Sequence, residues 1–448
     1  MHTTGRGTNG HGNGGATAAH RFQKLKAEIH QQVVEMLDIS KLVKLNPERV
    51  RREVRAVASE VTRKSHEHLD DASRDRMVEE IMNEAFGLGP IEHLMSDPTV
   101  SDILVNGPRQ VFVERNGRLE ETDIVFVDDA HLIQIIQRIT ARVGRRVDEA
   151  TPLVDARLPD GSRLNAIIPP LSLEGPILSI RRFGVRLGCE DLLANHTMPA
   201  EFLHLLRAAV GGRLNIVVSG GTGSGKTTML NVLSRFIPRD ERLVTIEDSA
   251  ELLLQQPHVV RLETRLPNTE GHGQYTQREL VRNSLRMRPD RIIIGEVRGP
   301  EALDMLQAMN TGHEGSLTTV HANDTRDMLY RLEMMVTMAG FEMPLEVIRG
   351  YIGSALKLVV QVARLKGGAR KIVRISEIVG LRKRRSYVVR DIFAFRQTGV
   401  IDGQAVGEFY ATGHVPTFLP RLNASGVELA PELFQERILP LRELAPLG

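Results

Sequence analysis

The stretch Gly220-Gly221-Thr222-Gly223-Ser224-Gly225-Lys226-Thr227, followed by Thr228, has the glycine, lysine and hydroxyl spacing that holds a polyphosphate. Its glycines let backbone N–H groups turn toward phosphate oxygens, and a helix starting there adds partial positive charge. Lys226 is placed to reach the β- and γ-phosphates, and the Thr227 hydroxyl to ligate magnesium. Gly220 through Thr228 are therefore the candidate nucleotide-binding residues.

Hydrolysis needs a water-activating group as well. Leu243 to Ile246 reads as a buried strand ending in Glu247-Asp248, with Glu251 close behind, and Arg291 to Ile294 as a second ending in Gly295-Glu296. Carboxylates at the C-terminal ends of strands beside a phosphate loop face the nucleotide crevice. Glu296 fits the element that holds a magnesium water shell or orients attacking water. The usual Asp before it is Gly295, so metal-shell and base roles are divided between Glu296 and Glu247. The plainer alternative is that each acid favours the positive end of the helix after it. His313 and His321 bracket the strand Ser316–Val320, and His321 is the one read as touching the site and sensing the γ-phosphate.

The elements around these residues have the right order. Leu214 to Ser219 reads as a short buried strand before the loop, and Met229 to Phe236 as a helix after it. Strands and helices alternate downstream, as in a mostly parallel sheet. Upstream, Phe22, Leu25, Ile29, Val33 and Leu37 recur at helical spacing. A second helix begins at Asn46-Pro47 with the stripe Val50, Val54, Val57 and Val61, and a third around Met77, Ile81 and Phe86 ends at Gly87. The period changes after Ile91: Val111–Arg115 and Arg118–Phe126 are strands joined by Asn116-Gly117. A helix carrying Leu132, Ile135, Ile136, Ile139 and Val143 follows, capped by Asp128 or Asp129. Arg163–Ile168 and Ile177–Arg182 are further strands. Residues 187–198 read as a linker, and Pro199–Val210 as the helix leading into the loop strand. The methionine-rich helix around Met328, Leu329, Leu332, Met335 and Val336 reads as core. Arg382-Lys383-Arg384-Arg385, between the strand patterns Ile372–Val379 and Tyr387–Phe395, reads first as a solvated hairpin turn, and second as a contact for anionic lipid heads.

Whole-chain properties bound the rest. A length of 448 residues allows about three domains. A hydrophobic share of 41% with 25% charged residues is that of a soluble globular protein. A net charge of +2 is too small to argue for a nucleic-acid partner. The lone Cys189 excludes an internal disulfide and a multi-cysteine metal site, and a reducing, cytosolic compartment is the natural reading. No apolar run approaches ~18 residues, so no membrane span is expected. The first 20 residues, rich in Gly, Thr and His, read as a disordered tail without the apolar core of a secretory signal.

In order, the loop, Thr245-Ile246-Glu247-Asp248, Ile293-Ile294-Gly295-Glu296-Val297-Arg298-Gly299 and the two-histidine stretch resemble the Walker A, Asp box, Walker B and His box of the type II/type IV secretion ATPase superfamily. Asp155 to Asn165, Leu178 to Phe183, and Thr412–Pro416 with Phe418–Leu422 are similar to its CpaF/TadA branch, the tight-adherence (Flp) pilus ATPases. The resemblance implies an α/β fold, in which a RecA-like P-loop NTPase domain (199–448, with a C-terminal extension) follows an α+β, PAS-like domain (89–186) and a helical bundle (21–88). It implies magnesium-dependent ATP hydrolysis by a homohexamer at the cytoplasmic face of the inner membrane, working with platform proteins to assemble, or also retract, a pilus. It implies too that arginines of the N-terminal domain complete the site, which on the matching positions are Arg163, Arg181 and Arg182. The competing readings are a conjugation-type type IV secretion ATPase, a nucleotide switch that does no work, and a nucleic-acid motor.

Overall fold

The computed structural model describes residues 25, 26, 28, 29, 32, 33, 36, 47–64, 70–115, 117–182, 187–265, 267, 272–383 and 385–441. The tail read before residue 21, and Asn46, Asn116 and Arg384, lie outside them. The chain divides into two compact units, Met1–Gly184 and Val185–Gly448.

In the first unit, helix Pro47–Lys64 buries Val54, Ala58 and Val61 against Met77, Val78, Ile81 and Met82 of helix Asp71–Phe86. Leu25, Ile29 and Val33 join the same core, as their helical spacing requires. Asp70 caps the second helix by accepting the Ser73 amide at 2.8 Å. Glu84 at its far end is buried, with Lys26 Nζ 3.2 Å from its Oε2 and His131 Nε2 bonded to its Oε1. His131 belongs to helix Asp129–Arg142 of the α+β part, so one carboxylate ties the helical region to the sheet region.

That sheet has six strands: β1 (Val100–Asn106), β2 (Val111–Arg115), β3 (Arg118–Glu121), β4 (Leu153–Arg157), β5 (Arg163–Ile167) and β6 (Ile177–Arg181), in the antiparallel order β3-β2-β1-β6-β5-β4. Helix Asp129–Arg142 covers it with Leu132, Ile135, Ile136 and Ile139. The strand read as running to Phe126 stops at Glu121. The chain leaves the sheet edge there so that Phe126 can turn into the core, its amide bonded to the Pro108 carbonyl at 2.7 Å.

The second unit opens with helix Cys189–Ala194, inside the stretch read as a linker; Leu192, Leu193 and Met198 are buried in this unit's core. Helix Ala200–Gly211 leads into β7 (Ile216–Gly220). The other parallel strands are β8 (Leu243–Glu247), β9 (Val259–Glu263), β10 (Arg291–Ile294), β11 (Leu317–His321) and β12 (Leu358–Arg364), in the order β12-β7-β11-β10-β8-β9. Both faces are covered, as a parallel sheet demands. Ile216 and Val218 pack toward helices Ala200–Gly211 and Lys226–Ser234; Val217 between them faces helices Glu301–Asn310, Thr325–Thr337 and Leu345–Ala355. Met328, Leu329, Leu332, Met335 and Val336 are buried on that second face.

The sheet is not mostly parallel throughout. β13 (Arg370–Arg382), β14 (Ser386–Ile401), β15 (Gln404–Ala411) and β16 (Arg437–Leu439) extend it beyond β12 as an antiparallel meander. Short turns join β12 to β13, β13 to β14 and β14 to β15, and a short turn permits only antiparallel pairing. The Arg382–Arg385 stretch is one such turn, closed by Arg385 N donating to Arg382 O at 3.1 Å. The segment after β15 is latched by buried Glu377, which accepts Thr417 N at 3.0 Å and meets His414 Nε2 at 2.7 Å.

Candidate functional site

Gly220 ends β7, and helix Lys226–Ser234 begins six residues further on. Gly225 caps that helix at a φ of +99°, a left-handed conformation that glycine adopts without strain. Lys226 Nζ donates to the Gly220 and Gly221 carbonyls at 3.1 Å each, so the ammonium lies over the loop. Ser224 is buried and its hydroxyl donates to Gly221 O at 2.8 Å. Thr227 and Thr228 follow in the helix's first turn. The helix buries Met229, Leu230, Val232 and Leu233, which fixes the loop on a rigid support.

Register brings the acids and one histidine to the same edge. β11 lies beside β7 with His321 opposite Gly220; β10 lies beside β11, and β8 beside β10. The C-terminal ends of these parallel strands therefore present His321, Glu296 and Glu247 in a row beside the loop. His313 precedes β11 and stands at the opposite edge, its carbonyl accepting the Ser316 hydroxyl. Of the two histidines only His321 reaches the loop edge. Burial lowers the His321 pKa, and the Lys226 charge adds to that effect while Glu296 opposes it. The imidazole is thus held neutral, as a hydrogen-bonding group.

The two acids differ. Glu247 is buried: its Oε2 accepts the Glu251 and Leu252 amides at 2.6 and 2.8 Å, while Oε1 has no hydrogen-bond partner among the described residues. Burial pushes its pKa up to about 7 despite those two amides. Gly295 makes room for it: a Cβ there would stand 3.0 Å from Glu247 Cγ. Glu296 is partly exposed and braced by Arg298, whose Nη2 donates to its Oε2 at 2.7 Å; Arg298 Nη1 lies 3.7 Å from Asp248 Oδ2.

Arg163, Arg181 and Arg182 are on the sheet of the first unit. Arg163 and Arg181 are cross-strand partners, and Arg157 extends the row on the far side of Arg163. Arg181 Nε is 3.4 Å from Asp102 Oδ1. Arg182 donates to the backbone carbonyls of Asp97 and Val100, the latter at 2.8 Å, and so fastens its own sheet.

Arg364 and Arg370 escape motif reading although they adjoin this edge, and Arg298, inside the Ile293–Gly299 motif, is given no role by it. Arg298 lies two residues past Glu296, and Arg364 ends the strand next to β7; strand adjacency is the signal that finds them. Thr227 and Glu296 offer the hard oxygen donors suited to magnesium, which takes few protein ligands and completes its shell with phosphate and water.

A family model described as "Type II/IV secretion system protein" matches residues 84–395, more than half of the chain. A putative conjugal transfer protein of Mycobacterium tuberculosis is 38% identical over 305 residues, covering 66% of this chain and 86% of that protein. The conjugal transfer protein TrbB of Rhizobium radiobacter is 34% identical over 293 residues, covering 64% of this chain and 86% of its own length. Among solved structures, the VirB11 ATPase from the Brucella suis type IV secretion system, in complex with sulphate, is 32% identical; the match covers 65% of this chain and 97% of that one, at a TM-score of 0.35.

Proposed function

The chain belongs to the type II/IV secretion system protein family, and on that premise we propose that it is a magnesium-dependent ATPase serving as the motor of a secretion or pilus machine. The observation that carries this reading is the gathering of Lys226, His321, Glu296 and Glu247 at one edge of one sheet. Loop amides and Lys226 hold the β- and γ-phosphates. Thr227 and Glu296 would hold the magnesium, which when bound would screen the polyphosphate charge. Glu247, whose raised pKa suits proton acceptance near neutral pH, takes the proton of the attacking water. Arg298 keeps Glu296 oriented, and neutral His321 hydrogen-bonds the γ-phosphate and registers its loss. Arg163 and Arg181 are the arginines proposed to neutralise charge developing on the phosphate, because guanidinium groups stay charged and bind phosphate bidentately. Arg182, spent on its own backbone, has the structural role.

The same reading makes the chain a homohexamer at the cytoplasmic face of an inner membrane, working with membrane platform proteins. No helix among the described residues is long and apolar enough to cross a membrane. Two cargoes compete. Pilus assembly of the tight-adherence type rests on residues 155–165, 178–183 and 412–422. Conjugation-type secretion is favoured by the conjugal-transfer names of the two relatives. Deleting the gene in its host separates them: loss of surface pili with DNA transfer intact supports the first, and the converse sinks it. For the chemistry, purified protein should hydrolyse ATP and stop when magnesium is chelated; tight ATP binding with no turnover would favour a switch instead.

A further inference from the structure

The hairpin joining β12 to β13 brings two guanidinium groups against the phosphate loop, and neither belongs to the loop's motif. Arg364 and Arg370 are cross-strand partners at its end. β12 runs parallel to β7 with Val362 opposite Gly220, so Arg364, two residues on, leaves the sheet level with the loop. Arg370 Nε donates to the Gly223 carbonyl at 2.9 Å. Arg364 Nη1 lies 3.5 Å from the point a Cβ on Gly223 would occupy, and Arg370 Cδ 3.6 Å from the same point on Gly225. The turn between the arginines is closed by Leu365 N to Ala369 O at 2.8 Å and Gly368 N to Leu365 O at 3.0 Å, so both side chains spring from fixed backbone.

We propose that these residues form an arginine brace of the nucleotide site supplied by the same unit as the loop. Arg370 is a positioning residue that presets the loop for phosphate, and Arg364 adds a fixed positive charge beside it. The C=O and N–H of one trans peptide point in opposite directions. With the Gly223 carbonyl drawn to Arg370, the Ser224 N–H of the same peptide points the opposite way and donates to Gly221 O at 3.4 Å, a long bond that a phosphate oxygen can replace. A charged donor on that carbonyl also polarises the peptide, which makes the Ser224 amide a better donor to a phosphate oxygen. Gly223, at a φ of +67°, is held in the shape this requires.

The brace rests on the proposed ATPase reading, and one experiment separates the two. Steady-state ATP turnover and ADP binding are measured on the full chain as wild type, Arg370→Ala, Arg370→Lys and Arg364→Ala. Both side chains are exposed, so truncation leaves the core intact, and a thermal melt of each variant checks this. Arg370→Ala should raise KM for ATP about tenfold, the worth of one charge-assisted hydrogen bond, while kcat falls by less. Arg370→Lys should recover part of the loss, because an ammonium can still reach the carbonyl. Arg364→Ala should raise KM by a smaller factor that shrinks as salt is added. A KM for Arg370→Ala within about twofold of wild type, or a loss confined to kcat, overturns the brace alone. Failure of the wild type to turn over ATP or to bind ADP overturns both the brace and the ATPase reading.

Discussion

Glu247 and Glu296 stand on the same edge, yet their surroundings prepare them for different work. Glu247 is buried with one oxygen fixed by two amides and the other unpartnered, the condition of a carboxylate that can take a proton. Glu296 is gripped by the Arg298 guanidinium, which fixes its direction. A base must be ionised to act, and a pKa raised to about 7 means the ionised fraction of Glu247 grows only as pH rises through that value. Turnover measured against pH should therefore climb through about 7, and Glu247→Gln should lose about 10²- to 10⁴-fold in kcat along with that limb. Gly295 supports the same acid by leaving space. Gly295→Ala should displace Glu247 by a few tenths of an ångström and lower kcat about tenfold while ATP binding persists. Equal turnover in Gly295→Ala and wild type would show that the acid does not depend on the missing Cβ. The candidate acids and His321 were legible in sequence because each ends an apolar strand run. The division of labour was not, because it depends on burial and on which backbone amides converge.

Among the elements, β7, β8, β10 and β11 were readable from their short apolar runs, and β13 and β14 from the strand patterns on either side of the Arg382–Arg385 turn; β9, β12, β15 and β16 were not. β15 and β16 lean on pairing partners from a continuous meander, and pairing leaves little trace in local pattern. β1 was also missed, although it is the central strand of the first sheet: its bulge between Val100 and Asp102 interrupts the alternation. Within the first unit, the junction between helices and sheet rests on Glu84. Burial alone would raise its pKa, but His131 and Lys26 outweigh that and hold it at about 2. Because the folded value is depressed, the stability it contributes is fully present above the unfolded carboxylate range near 4.5 and is lost as pH falls toward about 2. Glu84→Gln should cost about 3 kcal/mol at neutral pH, since buried Lys26 keeps only the more distant Glu80 carboxylate, 3.7 Å away, and should flatten acid unfolding below about pH 4.5. Urea melts across pH check both; unchanged midpoints would show the network is dispensable.

On the scale of the molecule, the proposed residues fall in two units. The second contains the loop, both acids, His321 and the arginines of the β12–β13 hairpin; the first contributes the Arg157–Arg163–Arg181 row. Like charges aligned across neighbouring strands repel. Asp102, opposite Arg181, offsets part of that repulsion, and the physical reason to propose a phosphate role for Arg163 and Arg181 is that guanidinium groups stay charged and bind phosphate bidentately. Single Arg163→Ala and Arg181→Ala variants should lower kcat more than they raise KM, the reverse of the Arg370→Ala pattern, if they meet charge that develops during hydrolysis. Function was legible to the level of a secretion-family ATPase because four motifs stand in order. The cargo was not, since nothing in a nucleotide site depends on what the motor moves.

The most direct test of the central claim is ATP turnover and ATP affinity measured on the same preparations of wild type, Glu247→Gln and Glu296→Gln. The wild type should turn over, and both variants should bind ATP while losing at least about a hundredfold in kcat. Binding without turnover in the wild type, or wild-type turnover in both variants, would contradict the account.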